Sequence, residues 1–186
     1  MFFEERVTQM AAYLLMKNDR KMAHVKLLKL LYLAERSAMA KWGCSMSGDK
    51  FVSMPHGPEL SQTYDLISNH YNTSALWQQW LLNEEDYEIA LNESVSLDTL
   101  DELSCSELKI LDGVFTEFGY MDKFEIVDYT RNNCSEWIEP NENSLPIKPE
   151  SILRAIGKSD EQITQLVIKH KDDSQLDMIK ATLKTQ

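Results

Sequence analysis

Residues 22–67 read MAHVKLLKLLYLAERSAMAKWGCSMSGDKFVSMPHGPELSQTYDLI. From His24 to Trp42 this stretch contains no Gly and no Pro. Leu, Ala, Met, Lys and Arg are all good helix formers. At about 100° per residue, Leu27, Leu30, Leu31, Ala34 and Ala38 lie together. Lys26, Lys29 and Arg36 share a narrow strip on the other side, which reads as a solvated edge. The apolar arc is wider than one face, so the pattern predicts the central helix of a bundle rather than a surface helix. Glu35 falls inside that arc, between Leu28, Leu31 and Trp42. A carboxylate there is costly unless it is paired or hydrogen-bonded. Glu35 is therefore expected to be a structural buried carboxylate held by an Arg, a Lys or a backbone amide, with Arg36, Lys50 and His56 as candidate bases. A catalytic or ligand-binding acid, or a helix end open to solvent, are the alternatives.

Gly43 can take the left-handed conformation that ends a helix. Ser47-Gly48-Asp49 is turn chemistry, and Lys50 to Met54, with Phe51 and Val52, predicts a short strand. Pro55 pushes Met54 toward an extended conformation. Gly57-Pro58 is then expected to open a second helix, because Pro at the first helical position gives up an amide that has no partner anyway. Glu59 would sit at the positive end of that helix, with Leu60, Tyr64 and Ile67 following at helical spacing.

Outward from this core, Val7, Met10, Ala11, Leu14 and Leu15 give an amphipathic helix over Glu4 to Lys17. Trp77 and Trp80 read as a core plug. Tyr87, Ile89 and Leu91 alternate with polar residues, as do Val95 and Leu97, which predicts a hairpin. With Lys50 to Met54 it would make one three-stranded antiparallel sheet. Ser104 with Glu107 is a capping-box pair, and Leu108, Leu111, Phe115 and Phe118 trace the helix behind it. Asp122 with Glu125 starts another, followed by Phe124 and Val127. Pro140 to Pro149 is a connector. Beyond it, short helices carry Ile163, Leu166 and Val167, then Leu176, Ile179 and Leu183. The fold class expected is mainly α (α+β): a helical bundle around a buried central helix, with a small antiparallel three-stranded sheet. Residues 1–186 are expected to be a single domain, with a core at about 4–138 and a C-terminal helical extension at 141–186.

Composition narrows the function. Net charge is −11. Residues 1–60 hold 9 Lys and Arg against 6 Asp and Glu; the remainder holds 10 against 24. An acidic remainder repels phosphates, so direct nucleic-acid binding is not expected. No apolar run approaches the roughly 20 residues of a membrane span. The acidic start, Met1-Phe2-Phe3-Glu4-Glu5, is unlike a secretory signal. Cys44, Cys105 and Cys134 are odd in number and far apart, which suits reduced thiols in a cytoplasm. Cys-x-x-Cys and His-x-x-x-His spacings are missing, so neither a metal nor another cofactor is expected. His24, His56, His70 and His170, with Glu35, Asp49 and the cysteines, supply acid-base side chains. Their spacing forms no known catalytic motif and no phosphate-binding loop accompanies them, so the chain is read as not an enzyme.

Three motifs together resemble a known family: Lys29 to Arg36 (KLLYLAER), Ser47-Gly48-Asp49, and Val52 to Pro58 (VSMPHGP). They are similar to the Panacea domain, the antitoxin SocA-like family. The portion through Tyr129-Thr130 and Trp137 is similar to the second half of that pattern. One departure is Arg131, where many members show a His. The resemblance implies an antitoxin that neutralises a cognate toxin by direct protein–protein binding, sterically or by presenting it for proteolysis. A protease or chaperone would be the further partner in the latter case. A phage- or prophage-associated regulator or proteolytic adaptor acting on a host protein is the alternative. The expected partner-binding residues are Arg36, Asp49, His56, Gly57 and Pro58, where the resemblance is densest.

Overall fold

The computed structural model describes residues 1–68, 74–141 and 144–169. Helix α1 spans Glu4–Lys17 and strand β1 Lys21–Ala23, leading into helix α2, His24–Trp42. Strands β2 (Phe51–Met54) and β3 (Gly57–Leu60) follow, then helices α3 (Ser61–Ser68) and α4 (Ala75–Trp80). Strands β4 (Leu81–Asn83) and β5 (Glu88–Leu91) precede helices α5 (Cys105–Phe118) and α6 (Lys123–Asn133). Strand β6 (Leu145–Ile147) and helix α7 (Pro149–Ala155) come next, and residues 160–169 form helix α8. The expected class, mainly α with a small antiparallel sheet component, is the one observed.

Helix α2 is the centre, packed by α1, α5, α6, α7 and β3. Leu27, Leu30, Leu31, Ala34 and Ala38 are wholly buried, and so are Tyr32 and Lys29 on the opposite side. The helix stops at Gly43, at φ 79°, whose N–H donates to the Met39 carbonyl at 2.9 Å. A left-handed residue at this position is the usual helix stop, and glycine adopts it without a Cβ penalty. Capping boxes begin α5 at Ser104 and Glu107, and α6 at Asp122 and Glu125. Trp77 is wholly buried, as a core plug should be. Ile152, Leu153 and Ile163 carry the C-terminal segment into the same core. The expected apolar positions Leu176, Ile179 and Leu183, and also His70 and His170, lie outside the described residues.

Three local expectations need correction. The strand at Lys50–Met54 exists, but it does not join the 87–97 region. The described residues hold two three-stranded antiparallel sheets, ordered β3-β2-β6 and β1-β5-β4. Val95 and Leu97 form no strand. The Asn92 side chain accepts from the Ser94 amide and turns the chain, and Leu97–Thr99 is a 3-10 turn.

Gly57-Pro58 likewise does not open a helix. It opens β3, with Met54 opposite Gly57 and Ser53 opposite Pro58. Helix α3 begins at Ser61 because its amides are met from elsewhere in the chain. Lys50 O accepts from Ser61 N at 2.8 Å, and the Asp49 carboxylate accepts from the amides of Gln62 at 3.0 Å and Thr63 at 2.8 Å. Asp49 thus caps α3 from across the hairpin, satisfying donors that a helix start leaves open.

The third correction concerns charge. Lys29 is not on a solvated edge, and Glu59 is not at a helix end. Lys29 Nζ is 2.8 Å from Glu59 Oε1 and donates also to the Pro58 carbonyl at 3.1 Å, all inside the protein. Gly57, at φ 103°, lies against this pair. A Cβ there would come within 3.0 Å of Thr130 Oγ1 and 3.3 Å of Lys29 Nζ. Gly57→Ala should therefore cost about 1–3 kcal/mol, seen as a lower denaturant midpoint with an unchanged slope. An unaltered midpoint would show that the hairpin relaxes freely at this turn.

Candidate functional site

The residues of the KLLYLAER motif make a polar layer between α2 and the segments that cover it. Lys29, Tyr32 and Arg36 recur at helical spacing and face β3, α6 and the residues after α6. The Tyr32 hydroxyl donates to Glu136 Oε1 at 2.6 Å, and Arg36 Nε donates to the same oxygen at 2.8 Å. Burial and the neighbouring Glu136 hold the Tyr32 hydroxyl well above its ordinary range. Burial likewise pushes the Cys134 thiol up to about 12, with Glu136 acting in the same sense. Burial pulls the Lys29 ammonium down, and Glu59 works against it. Such a layer fixes the position of the hairpin over α2.

Glu35 points the other way. It is fully buried and accepts from the amides of Met46 at 2.5 Å and Ser47 at 2.7 Å. Of the partners considered for it, the backbone amide is the one present. Arg36 is committed to Glu136, Lys50 is exposed, and His56 lies at the exposed tip of the β2–β3 turn. Burial raises the Glu35 carboxyl above its ordinary range, and the hydrogen bonds from Ser47 and Met46 oppose that shift.

The five expected partner-binding residues do not share one surface. Asp49 is buried under the start of α3, and Gly57 and Pro58 are buried in β3. Arg36 is half-buried against Glu136. His56 is exposed and looks onto a cleft of about 760 Å³. Val25 and Leu28 from the start of α2, Tyr64 from α3, and Phe124 and Val127 from α6 give the cleft apolar walls. His24, Glu59 and Asp128 add polar groups. His24 Nε2 donates to the Glu88 carbonyl at 2.8 Å, and its ring meets Tyr87 edge-on with centroids 6.4 Å apart.

Two features distinguish this cleft. First, its rim keeps large aromatic rings in solvent. Tyr87 is 80% exposed and Phe124 is 70% exposed. Tyr87 follows Asp86, and both hold positive φ, at 58° and 59°. This conformation is costly for residues with a side chain and clusters at functional positions. Second, His24, His56, Glu59 and Asp128 bring polar residues to its otherwise apolar lining. An apolar concavity with a few convergent polar groups is the usual form of a binding site.

Sequence reasoning reached His56 but missed Tyr87 and Phe124, which it read only as members of a strand and a helix. Arg131, at the family's His position, stacks on Trp137 at 5.0 Å and pairs with Glu139 at 3.1 Å. Trp137 Nε1 in turn donates to the Met54 carbonyl at 3.0 Å, so this edge secures β2. Among the described residues no cluster of three His, Cys, Asp or Glu side chains is placed to hold a metal, and no helix is long and apolar enough to cross a membrane.

The family model described as antitoxin SocA-like, Panacea domain, matches residues 27–138, more than half of the 186 residues. No curated protein and no solved structure matches the chain.

Proposed function

The chain belongs to the antitoxin SocA-like, Panacea domain family, and from that premise we propose that it is an antitoxin-like protein that neutralises a cognate toxin by direct protein–protein binding. The observation that carries the reading is the aromatic-rimmed cleft beside His56, most of whose lining residues fall within the family-matched span. A bundle has no packing need for Tyr87 and Phe124 in solvent, whereas interfaces are built around aromatic anchors ringed by polar groups. The protein acts by occupancy and runs no reaction of its own. Several of its enclosed polar side chains are already engaged inside the fold, Lys29 with Glu59, Tyr32 and Arg36 with Glu136, and Glu35 with amides. These pairs support the architecture that presents the cleft. A cytoplasmic setting belongs to the same reading and suits the free thiols of Cys44, Cys105 and Cys134.

The recognition surface in this reading is centred on His56, Tyr87 and Phe124. Gly57 and Pro58 shape the turn beneath His56, Asp49 anchors α3, and Arg36 holds the far edge through Glu136. The test is growth rescue. A neighbouring open reading frame that proves toxic when expressed alone is induced in cells carrying the wild-type chain or a Tyr87→Ala/Phe124→Ala variant of matched abundance and melting temperature. Wild type should restore growth, and the double variant should need roughly tenfold more expression to do so. Full rescue by both across an expression titration would move the recognition surface away from this cleft.

A further inference from the structure

The cleft beside His56 continues past the Phe124 ring. A second depression, of about 480 Å³, shares Ala23, Lys123 and Phe124 with it and reaches Lys26, Asp86, Glu88 and Asp122. Together they make one furrow, apolar at the end walled by Val25, Leu28, Tyr64 and Val127, and acidic at the other. The acidity comes from the turn between β4 and β5, where Glu84, Glu85, Asp86 and Glu88 flank the exposed Tyr87. Lys21 lies 2.6 Å from Glu84 and 2.5 Å from Glu88 and offsets one of these four charges. Glu85 and Asp86 are exposed and make no ion pair among the described residues. The cations lining the furrow are engaged elsewhere. Lys26 Nζ donates to the Gly119 carbonyl at 2.8 Å and to Asn18 Oδ1 at 3.2 Å, and Lys123 Nζ lies 5.3 Å from the centre of the Phe124 ring. Lys26 and Lys123 match Asp122 and Asp128 in number, so the excess negative charge sits on the 84–88 turn. An occupant that suits both ends carries apolar side chains and cations side by side. An acidic occupant would meet like charge, which suppresses a wrong partner.

We propose that the furrow binds an amphipathic, basic segment of the partner protein, with apolar side chains between Val25, Tyr64 and Val127 and a neighbouring lysine or arginine set against Glu85 and Asp86. The source of the segment rests on the toxin-binding reading. The preference of the furrow for apolar and basic side chains together does not, and it can be probed without the toxin.

The probe is a short dye-labelled peptide of leucine and lysine, titrated into the full chain and followed by fluorescence anisotropy. Leu/Glu and Ser/Lys peptides of the same length and pattern are the controls. The Leu/Lys peptide should bind saturably and roughly tenfold more tightly than either control. Glu85→Lys/Asp86→Asn should weaken it roughly tenfold; asparagine tolerates the positive φ of 59° held at Asp86. Asp160→Asn/Glu161→Lys makes the same change in net charge on α8, whose Leu166 packs on Gly43 at the other end of α2. That variant should bind within about twofold of wild type, because exposed charges so far apart are screened. Phe124→Ala, at unchanged melting temperature, should weaken binding as well. Equal weakening by the two charge variants would assign the binding to bulk acidity and overturn the inference. So would a control peptide that binds as tightly as Leu/Lys, full binding by Phe124→Ala, or no saturable binding at all. Growth rescue is scored separately. Failure of the wild-type chain to rescue would overturn the toxin-binding reading and leave the peptide result standing. Rescue without any peptide response would overturn the furrow assignment alone.

Discussion

Lys29→Met is expected to destabilise the protein by about 3–5 kcal/mol, while Lys29→Met/Glu59→Leu should recover most of that loss. The asymmetry follows from burial. Lys29 and Glu59 are both enclosed and lie 2.8 Å apart. Removing the ammonium alone leaves a buried carboxylate whose second oxygen, Oε2, already meets no partner among the described residues. Removing both charges and restoring apolar volume abolishes two desolvation costs together, which is why buried ion pairs replaced by hydrophobes are often neutral. Denaturant midpoints of the single and double variants and of Glu59→Leu close the cycle. Single variants that add to give the double would mean that the two side chains do not interact.

The second large effect is at Glu35. Its carboxylate holds the amides of Met46 and Ser47 inside the core, and Glu35→Ala strands both donors. At about 1–3 kcal/mol for each buried unpaired group, the two together should cost roughly 2–6 kcal/mol. The pH dependence has a definite sign. Burial raises the folded-state carboxyl above its ordinary 4.5, so between the unfolded and folded values the native state binds more protons. Stability from this group is then fully present below about 4.5 and is lost as pH rises through the folded value. Glu35→Gln has nothing to titrate. The wild-type-minus-Gln difference in unfolding free energy should therefore fall with rising pH across that window and be flat above it. A difference that grows with pH would contradict the proposed environment.

These two sites also show how far the sequence could be read. Helix α2 was legible from His24 to Trp42 because propensity, periodicity and the Gly43 stop all agree. Glu35 stood out as an acid on an apolar face, but its partners are amides, which every residue supplies and no pattern marks. Lys29 was misplaced for a related reason. A helical wheel separates faces only when one face meets solvent, and α2 is covered on all sides over residues 27–35. Its partner, Glu59, is thirty residues on, in a strand that Gly57-Pro58 disguised as a helix start. The true start of α3 depends on Asp49, a cap supplied from before β2. The cleft was hardest to see, because Val25, Tyr64, Tyr87 and Phe124 come together only through packing of four separate elements. Only His56, in the hairpin turn, gave a local sign of it.

The central claim is that the chain works by holding a toxin. The most direct test is native mass spectrometry of the full chain co-expressed with a neighbouring open reading frame that is toxic when expressed alone, and purified gently. The account predicts a complex of fixed stoichiometry containing the chain and the toxin and no nucleotide or metal. Growth rescued by a chain that emerges without the toxin, at expression levels where both are present, would contradict it.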